Sequence, residues 1–462
     1  MAYIGSTPET QSFTSGTDYF NGNGSSTAFT LSRPVASVND IEVVISNVVQ
    51  QPSTAYNVSG TTITFTSAPP SGTANVYVRY LSTITQTITP SPGTVDTAQL
   101  SPSLTNVPFF GGSTIGAGNA TGMKNRIING GMVIDQRNAG ASVDANGAFP
   151  VDRFPLFNGG VASKFTAQRS TTIPAGFSNS VVLTSTSTYS ISSSDRFGIR
   201  HAIEGFNVAD LGWGTANAKT ITISFWVRSS LTGTFGGSIT NGGGNRSYPF
   251  TYTISSANAW EQKSVTVAGD TSGTWATDNT AGIQLYFGIG VGSTFSGAAG
   301  TWASANYFSA TGATSVVGTN GATFYITGVQ LEEGNAATSF EFRPYGTELA
   351  LCQRYYAKLS GGGFSNFAPF AVGFCGNSTS IEGVINYPVT MRAAATLSFS
   401  NVRTNTATGT NAAITSVSNS YAGTNSMNAV FVSSGSSLTQ GQGGTIIGNT
   451  NSSAYIDLSA EL

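Results

Sequence analysis

Through most of this chain, apolar and polar positions alternate with a period of two, the pattern of strands that bury one face. The clearest case is Thr220-Ile-Thr-Ile-Ser-Phe-Trp-Val-Arg228. It places Ile221, Ile223, Phe225 and Val227 on one side and Ser224, Trp226 and Arg228 on the other. Similar runs cover 260–267, 283–287 and 323–331. Nearer the start, 28–31 and 40–45 read as strands, with Ile41, Val43 and Ile45 facing inward. Residues 56–65 read as a hairpin turning at Ser59-Gly60 with Ile63 and Phe65 inward, followed by Val76, Val78 and Tyr80 on one face. Late in the chain, 381–387, 396–399, 429–432 and 454–458 are strand-like. Pro344-Tyr-Gly346 ends a domain, and Thr347 is placed to cap a short helix with Glu348 in its first turn. Leu349, Cys352 and Tyr356 would share one face of that helix.

The expected fold is therefore all-β, a series of β-sandwich domains with one short connector helix. The boundaries are an N-terminal β-domain over 1–83, a neck over 84–123, a jelly roll over 124–343, the connector at 344–356 and a C-terminal β-domain over 357–462. The neck loses periodicity and is rich in Pro and Gly, apart from 96–100, which fits one helical turn or a contact on an oligomer axis. The last domain is rich in Gly, Ser and Asn, too poor in apolar residues for a free-standing core, and so is expected to bury strand faces in a symmetric oligomer.

Composition narrows the class. Only 9% of the 462 residues are charged, where about 25% is usual, and 56 are Gly. With 39% hydrophobic and 11% aromatic residues the chain can still bury a core, which argues against disorder. A surface of hydroxyls and amides suits a long-lived extracellular β-structure better than a cytosolic enzyme. A net charge of −2 gives no footprint for nucleic acid, and no apolar run is long enough to insert in a membrane. The opening Met1-Ala-Tyr-Ile-Gly-Ser-Thr-Pro8 does not read as an export signal.

Candidate chemistry is sparse. His201 is the sole histidine, so a multi-His metal site is excluded, and a surface or interface role is expected for it. Glu332 and Glu333 are neighbours on a strand and point to opposite faces, which does not suit a pair flanking one glycosidic bond. Asp135 with Arg137, and Asp152 with Arg153, are expected to form ion pairs. Cys352 and Cys375 read as free thiols. No catalytic residue, metal or cofactor is expected. Trp275 and Trp302 lie in loop-like sequence where a ring could stack on a sugar, the alternative being packing over a sandwich edge. Two polar segments between strand-like runs, 405–411 and 433–443, are candidate binding loops, with Asn405, Asn411, Ser433 and Gln440 as contact residues.

Two motifs carry a family likeness. Ile326-Thr-Gly-Val-Gln-Leu-Glu-Glu-Gly334, with Ala337-Thr-Ser-Phe-Glu-Phe-Arg-Pro344 and Glu348-Leu-Ala-Leu-Cys-Gln-Arg-Tyr-Tyr356, resembles a junction in bacteriophage tail-fibre and tailspike-type virion proteins. Lys124-Asn-Arg-Ile-Ile-Asn-Gly-Gly-Met-Val-Ile134, with Val151-Asp-Arg-Phe154, resembles the opening of the carbohydrate-binding-module-like jelly rolls of such fibres. The layout of 29–80 is similar to the virion-attachment domain of fibres from short-tailed phages.

The resemblance implies a homotrimeric tail fibre or spike, assembled in the host cytoplasm and carried on the virion tail. Residues 1–83 would dock to a tail or portal-adaptor protein, Leu349, Cys352 and Tyr356 would face another subunit, and the partner outside the particle would be a host cell-surface glycan. Modules of this build often hold a structural calcium through acidic residues on the strand leading into the junction; Ile326-Thr-Gly-Val329 has none. Two alternatives stay open, a decorating fibre without receptor binding and a polysaccharide-depolymerising tailspike.

Overall fold

The structure, a computed structural model, describes residues 16–81, 124–360, 367–409, 411–435, 437–450 and 453–462. The neck at 84–123, its segment 96–100 and the first residues of the chain lie outside the described residues. The chain divides into two compact units between Val107 and Pro108.

In the first unit, Thr17–Gly22, Gly72–Tyr80, Ile41–Ile45 and Val48–Val49 form an antiparallel sheet in that order, and Ala28–Val35 pairs with Tyr56–Phe65. Val43, Ile63, Val76 and Val78 are fully buried, as their alternation predicts. Residues 56–65 are one continuous strand, not a hairpin. A two-residue hairpin turn needs positive φ at its first central residue, and of Ser59 and Gly60 only Gly60 has it, at 60°. Gly60 instead sits opposite Val35, where the register shifts, and acts as a bulge.

The second unit opens with a two-layer sandwich. One sheet runs Ser247–Ile254, Gly233–Asn241, Ala281–Val291, Arg196–Glu204, Leu156–Gly159. The other runs Glu261–Val267, Ile221–Ser229, Thr323–Glu333, Ser180–Ser185, Phe165–Ser170. All ladders in both sheets are antiparallel. Ile221, Ile223, Phe225 and Val227 point into the core, where Phe225 meets Phe287 edge-on at 4.9 Å. Gly328 has φ 62° at the bulge where Thr323–Glu333 loses register with Ile221–Ser229, and a Cβ there would lie 2.6 Å from the Phe177 ring.

Beyond the sandwich, the helix spans Tyr345–Gln353. Its N-cap is Pro344, three residues before Thr347, and Thr347 is helical rather than capping. The helix starts early because the Glu348 N–H already reaches the Pro344 carbonyl at 3.1 Å. It also ends early, so Tyr356 begins the strand Tyr356–Ser360. That strand joins Tyr455–Ser459 and Thr396–Ser400 in a three-stranded sheet. A six-stranded sheet follows in the order Val402–Thr406, Gly443–Gly448, Pro369–Cys375, Ser380–Asn386, Ser426–Ser433, Ile414–Ala422. Ile381, Phe431, Ile446, Ile456 and Leu458 fill the core between these sheets.

Candidate binding surfaces

The two motifs singled out in the sequence pack on each other. Arg343 donates to the carbonyls of Ile127, at 3.1 Å, and Asn125, and its guanidinium faces Glu348 at 3.3 Å and Glu341 at 3.5 Å. Glu341 accepts the Asn125 N–H at 2.7 Å, and Glu348 accepts the Asn129 N–H. Lys124 Nζ reaches Thr338 Oγ1 at 2.6 Å. The opening segment is thereby clasped to the segment that leaves the sandwich. Glu332 is buried and accepts from Thr338, while Glu333 is half-buried beside Lys219 at 3.1 Å, so the adjacent carboxylates do face opposite sides.

A second polar cluster joins the sandwich to the C-terminal sheets. The Glu461 carboxylate is shared by Arg137, at 2.8 Å, and Arg153. Arg137 also pairs with Asp152 at 2.9 Å and stacks 3.4 Å over the Tyr356 ring. Buried Arg153 lies 3.5 Å over Tyr355 and donates to the Ala202 carbonyl at 2.6 Å. Arg392 donates to the carbonyls of Ala460 and Glu461, and Arg200 to that of Leu462. Arg354 grips Glu204 through two bonds of 2.9 and 2.5 Å, and the Tyr355 hydroxyl donates to the same carboxylate at 2.7 Å. Thus Arg137 pairs with Asp152 rather than Asp135, and Arg153 with Glu461 rather than Asp152. Asp135 instead caps a turn by accepting from the N–H groups of Asn138 and Gly140.

Burial has clear electrostatic consequences here. It pushes the Asp152 carboxyl up to about 6, against the pull of the Arg137 charge. His201 is fully buried, a correction to the surface role expected of it. It alternates with Phe197, Ile199 and Ile203 on the inward face of its strand and packs 4.7 Å from Phe154. Burial, then the charge of Arg153, hold its imidazole well below the usual range, and so neutral.

The helix stripe is occupied within the chain. Cys352 is buried with Ile128, Ile134 and Tyr355, Leu349 packs partly against them, and Tyr356 is buried with its hydroxyl on Asp457 at 2.6 Å. Cys352 and Cys375 are both free and buried.

The middle of the outer face of the Arg196–Glu204 sheet is covered by the chain itself. Ser309–Ala310 lies directly on it, over Gly236 and Gly288; a Cβ on Gly236 would come within 2.3 Å of Ser309 Oγ. Beside this crossing Phe308 packs on Phe157 and Tyr286. Trp275 and Trp302 form an edge-to-face cluster with Trp213, with centroids 4.7 to 5.5 Å apart. Each indole N–H donates to a backbone carbonyl: Trp213 to Lys219, Trp275 to Ser272 and Trp302 to Ala268. Trp213 and Trp275 are buried and Trp302 is half-buried. This is the packing arrangement over a sandwich edge.

Among the described residues of this unit, none covers one face of the distal six-stranded sheet. Register places Tyr421, Asn428, Val384, Val372, Thr445 and Asn405 in one row across all six strands. Val372 is 70% exposed, Val384 52% and Tyr421 80%. The row carries no charge, and in the next exposed Phe374 lies opposite Glu382. At the sheet's edge the two polar segments meet: Thr408 and Gln442 share hydrogen bonds of 3.2 to 3.3 Å, and the Ser434 N–H donates to the Ala413 carbonyl at 2.8 Å. Asn411 and Gln440 are exposed there, whereas Ser433 is buried with its hydroxyl on the Thr379 and Gly435 carbonyls.

The fold defines an all-β, multi-domain protein whose sheets are arranged as sandwiches. No protein-family model matches the chain. No curated protein matches it in sequence. Among solved structures it is similar to the enzymatically active domain of tailspike protein 4 of bacteriophage CBA120, at 14% identity and a TM-score of 0.26. That match covers 46% of this chain and spans only 22% of the tailspike chain. It is also similar to the family 11 carbohydrate-binding module of a Clostridium thermocellum cellulosomal cellulase, at 13% identity and a TM-score of 0.23 over 43% of this chain and 99% of the module. A xylan-binding domain of Paenibacillus barcinonensis matches at 10% identity and a TM-score of 0.21, covering 44% of this chain and 99% of that domain.

Proposed function

We propose that this chain is a homotrimeric fibre or spike subunit of a bacteriophage virion, docked to the tail through its N-terminal β-domain and adhering to host surface glycan without cleaving it. The observation that carries the reading is the exposed apolar group Val372, Phe374, Val384 and Tyr421 on the outer face of the distal sheet, where the charged side chains are those of Glu382 and Arg403. Large apolar side chains left exposed side by side on a domain so poor in charge are accounted for by a subunit contact. The junction and opening motifs support the fibre identity, and their mutual clasp gives each a structural purpose. Adhesion would then gain from avidity, with three copies of each edge loop presented together. The test is the mass of the intact protein in solution. A trimer is expected for the parent chain, and Val384→Asp, which buries a charge in the contact, should shift it to monomer. A parent chain that is monomeric at micromolar concentration would defeat the reading.

A further inference from the structure

A cavity of about 340 Å³ opens beside the clasp, away from both the Trp cluster and the distal loops. Its wall carries four aromatic rings, Phe177, Phe340, Phe342 and Tyr345. Three of them form a triangle, with Phe177–Phe340 at 5.1 Å, Phe177–Phe342 at 5.3 Å and Phe340–Phe342 at 4.9 Å. Yet Phe342 is 63% and Tyr345 62% exposed, an unusual cost for rings of this size. The same wall holds Glu341, Arg343 and Glu348. The Arg343 side chain is only 5% exposed, and its Nε–H is buried without an acceptor.

We infer that this cavity binds an uncharged pyranose residue of a glycan. A pyranose offers an apolar C–H face to the exposed rings. Its hydroxyls can donate to the Glu341 and Glu348 carboxylates, which keep lone pairs beside those used by Asn125, Asn129 and Arg343. The volume sits at the small end of ligand pockets, which suits one or two sugar rings. Two carboxylates against one guanidinium leave a net negative wall, so uronic and sialic acids are disfavoured. The inference rests on the glycan-adhesion reading and assigns it a site on the sandwich.

The test uses the full chain with the methyl glycosides of glucose, galactose, mannose and N-acetylglucosamine, with glucuronic acid as the acidic probe, read by saturation-transfer NMR and titration. At least one neutral glycoside should bind. Phe342→Ala and Tyr345→Ala, both at exposed rings and expected to fold, should each weaken it about tenfold, the loss of one ring contact. Glucuronic acid should not bind. A neutral glycoside that binds with unchanged affinity in both variants would overturn this site while leaving glycan adhesion standing. Binding of glucuronic acid as tight as the neutral sugars would overturn the assigned class. Absence of binding by every probe would overturn the site; if host polysaccharide also fails to bind, the adhesion reading falls with it. Absence of binding together with monomerisation of Phe342→Ala would make the rings a subunit contact instead.

Discussion

Glu461→Ala tests how the sandwich is held to the distal sheets. The Glu461 carboxylate is the counter-charge of buried Arg153 and the second partner of Arg137. Removing one member of a buried pair costs about 3–5 kcal/mol, because the other charge stays buried and unpaired. Arg137 keeps Asp152 at 2.9 Å, so only Arg153 loses its neutralising partner. It retains the Ala202 carbonyl and the Tyr355 ring, which places the expected loss at the lower end, about 3 kcal/mol. Urea unfolding of the full chain, followed by circular dichroism, reads this as a lowered midpoint for the unit containing the sandwich and distal sheets. Pairing Glu461→Leu with Arg153→Met should recover most of the loss, since an apolar pair of similar volume carries no desolvation cost. A Glu461→Ala protein within about 0.5 kcal/mol of the parent would refute the reasoning, because exposed ion pairs behave that way and buried ones do not.

Acid stability should reflect two buried groups of opposite sign. Asp152 has its pKa raised to about 6 in the fold, against about 3.9 unfolded, so its contribution favours folding as pH falls through 6. His201 is held neutral, so its contribution is present above about 6.5 and is lost as pH falls. Asp152→Asn removes the compensation, and between pH 6 and 4 its stability should fall more steeply than the parent's, by up to about 1.4 kcal/mol per pH unit in urea titrations. Parallel profiles would show that Asp152 does not titrate there. Trp275→Ala should cost about 3–5 kcal/mol in thermal or urea unfolding, since a buried ring and two edge contacts are lost, while adsorption by the folded protein persists. Unchanged stability with lost adsorption, there or in Trp302→Ala, would instead make the Trp cluster the receptor contact.

Strand positions were legible because a period of two survives in the sequence whatever the partner strand: the faces of 221–227 and 76–80 appear as read. The 56–65 strand was misread because Ser59-Gly60 fits a turn or a bulge equally, and the choice is made by Val35 across the ladder. His201 could have been found, since it continues the inward series from Phe197 and Ile199; polarity alone argued against burial. Ion-pair partners were beyond reach. Arg153 and Glu461 are 308 residues apart, and sequence proximity favoured Asp152. Trp275 and Trp302 were ambiguous for another reason. A loop Trp carries the same signal whether its face meets a sugar or another indole, and only their closure on Trp213 distinguishes the two. The clasp shows the reverse case: 124–131 and 340–348 stood out separately, and the fold reveals that they are one device.

An adhesive appendage of a virion, as proposed, must project from the particle and touch the host. The most direct measurement is electron microscopy of intact particles labelled with a gold-conjugated antibody against the distal domain, residues 367–462. Label is expected on fibres or spikes projecting from the tail, with loss of particle adsorption when the same antibody is present. Particles that carry no label, or label confined to the capsid with adsorption unaffected, would contradict it.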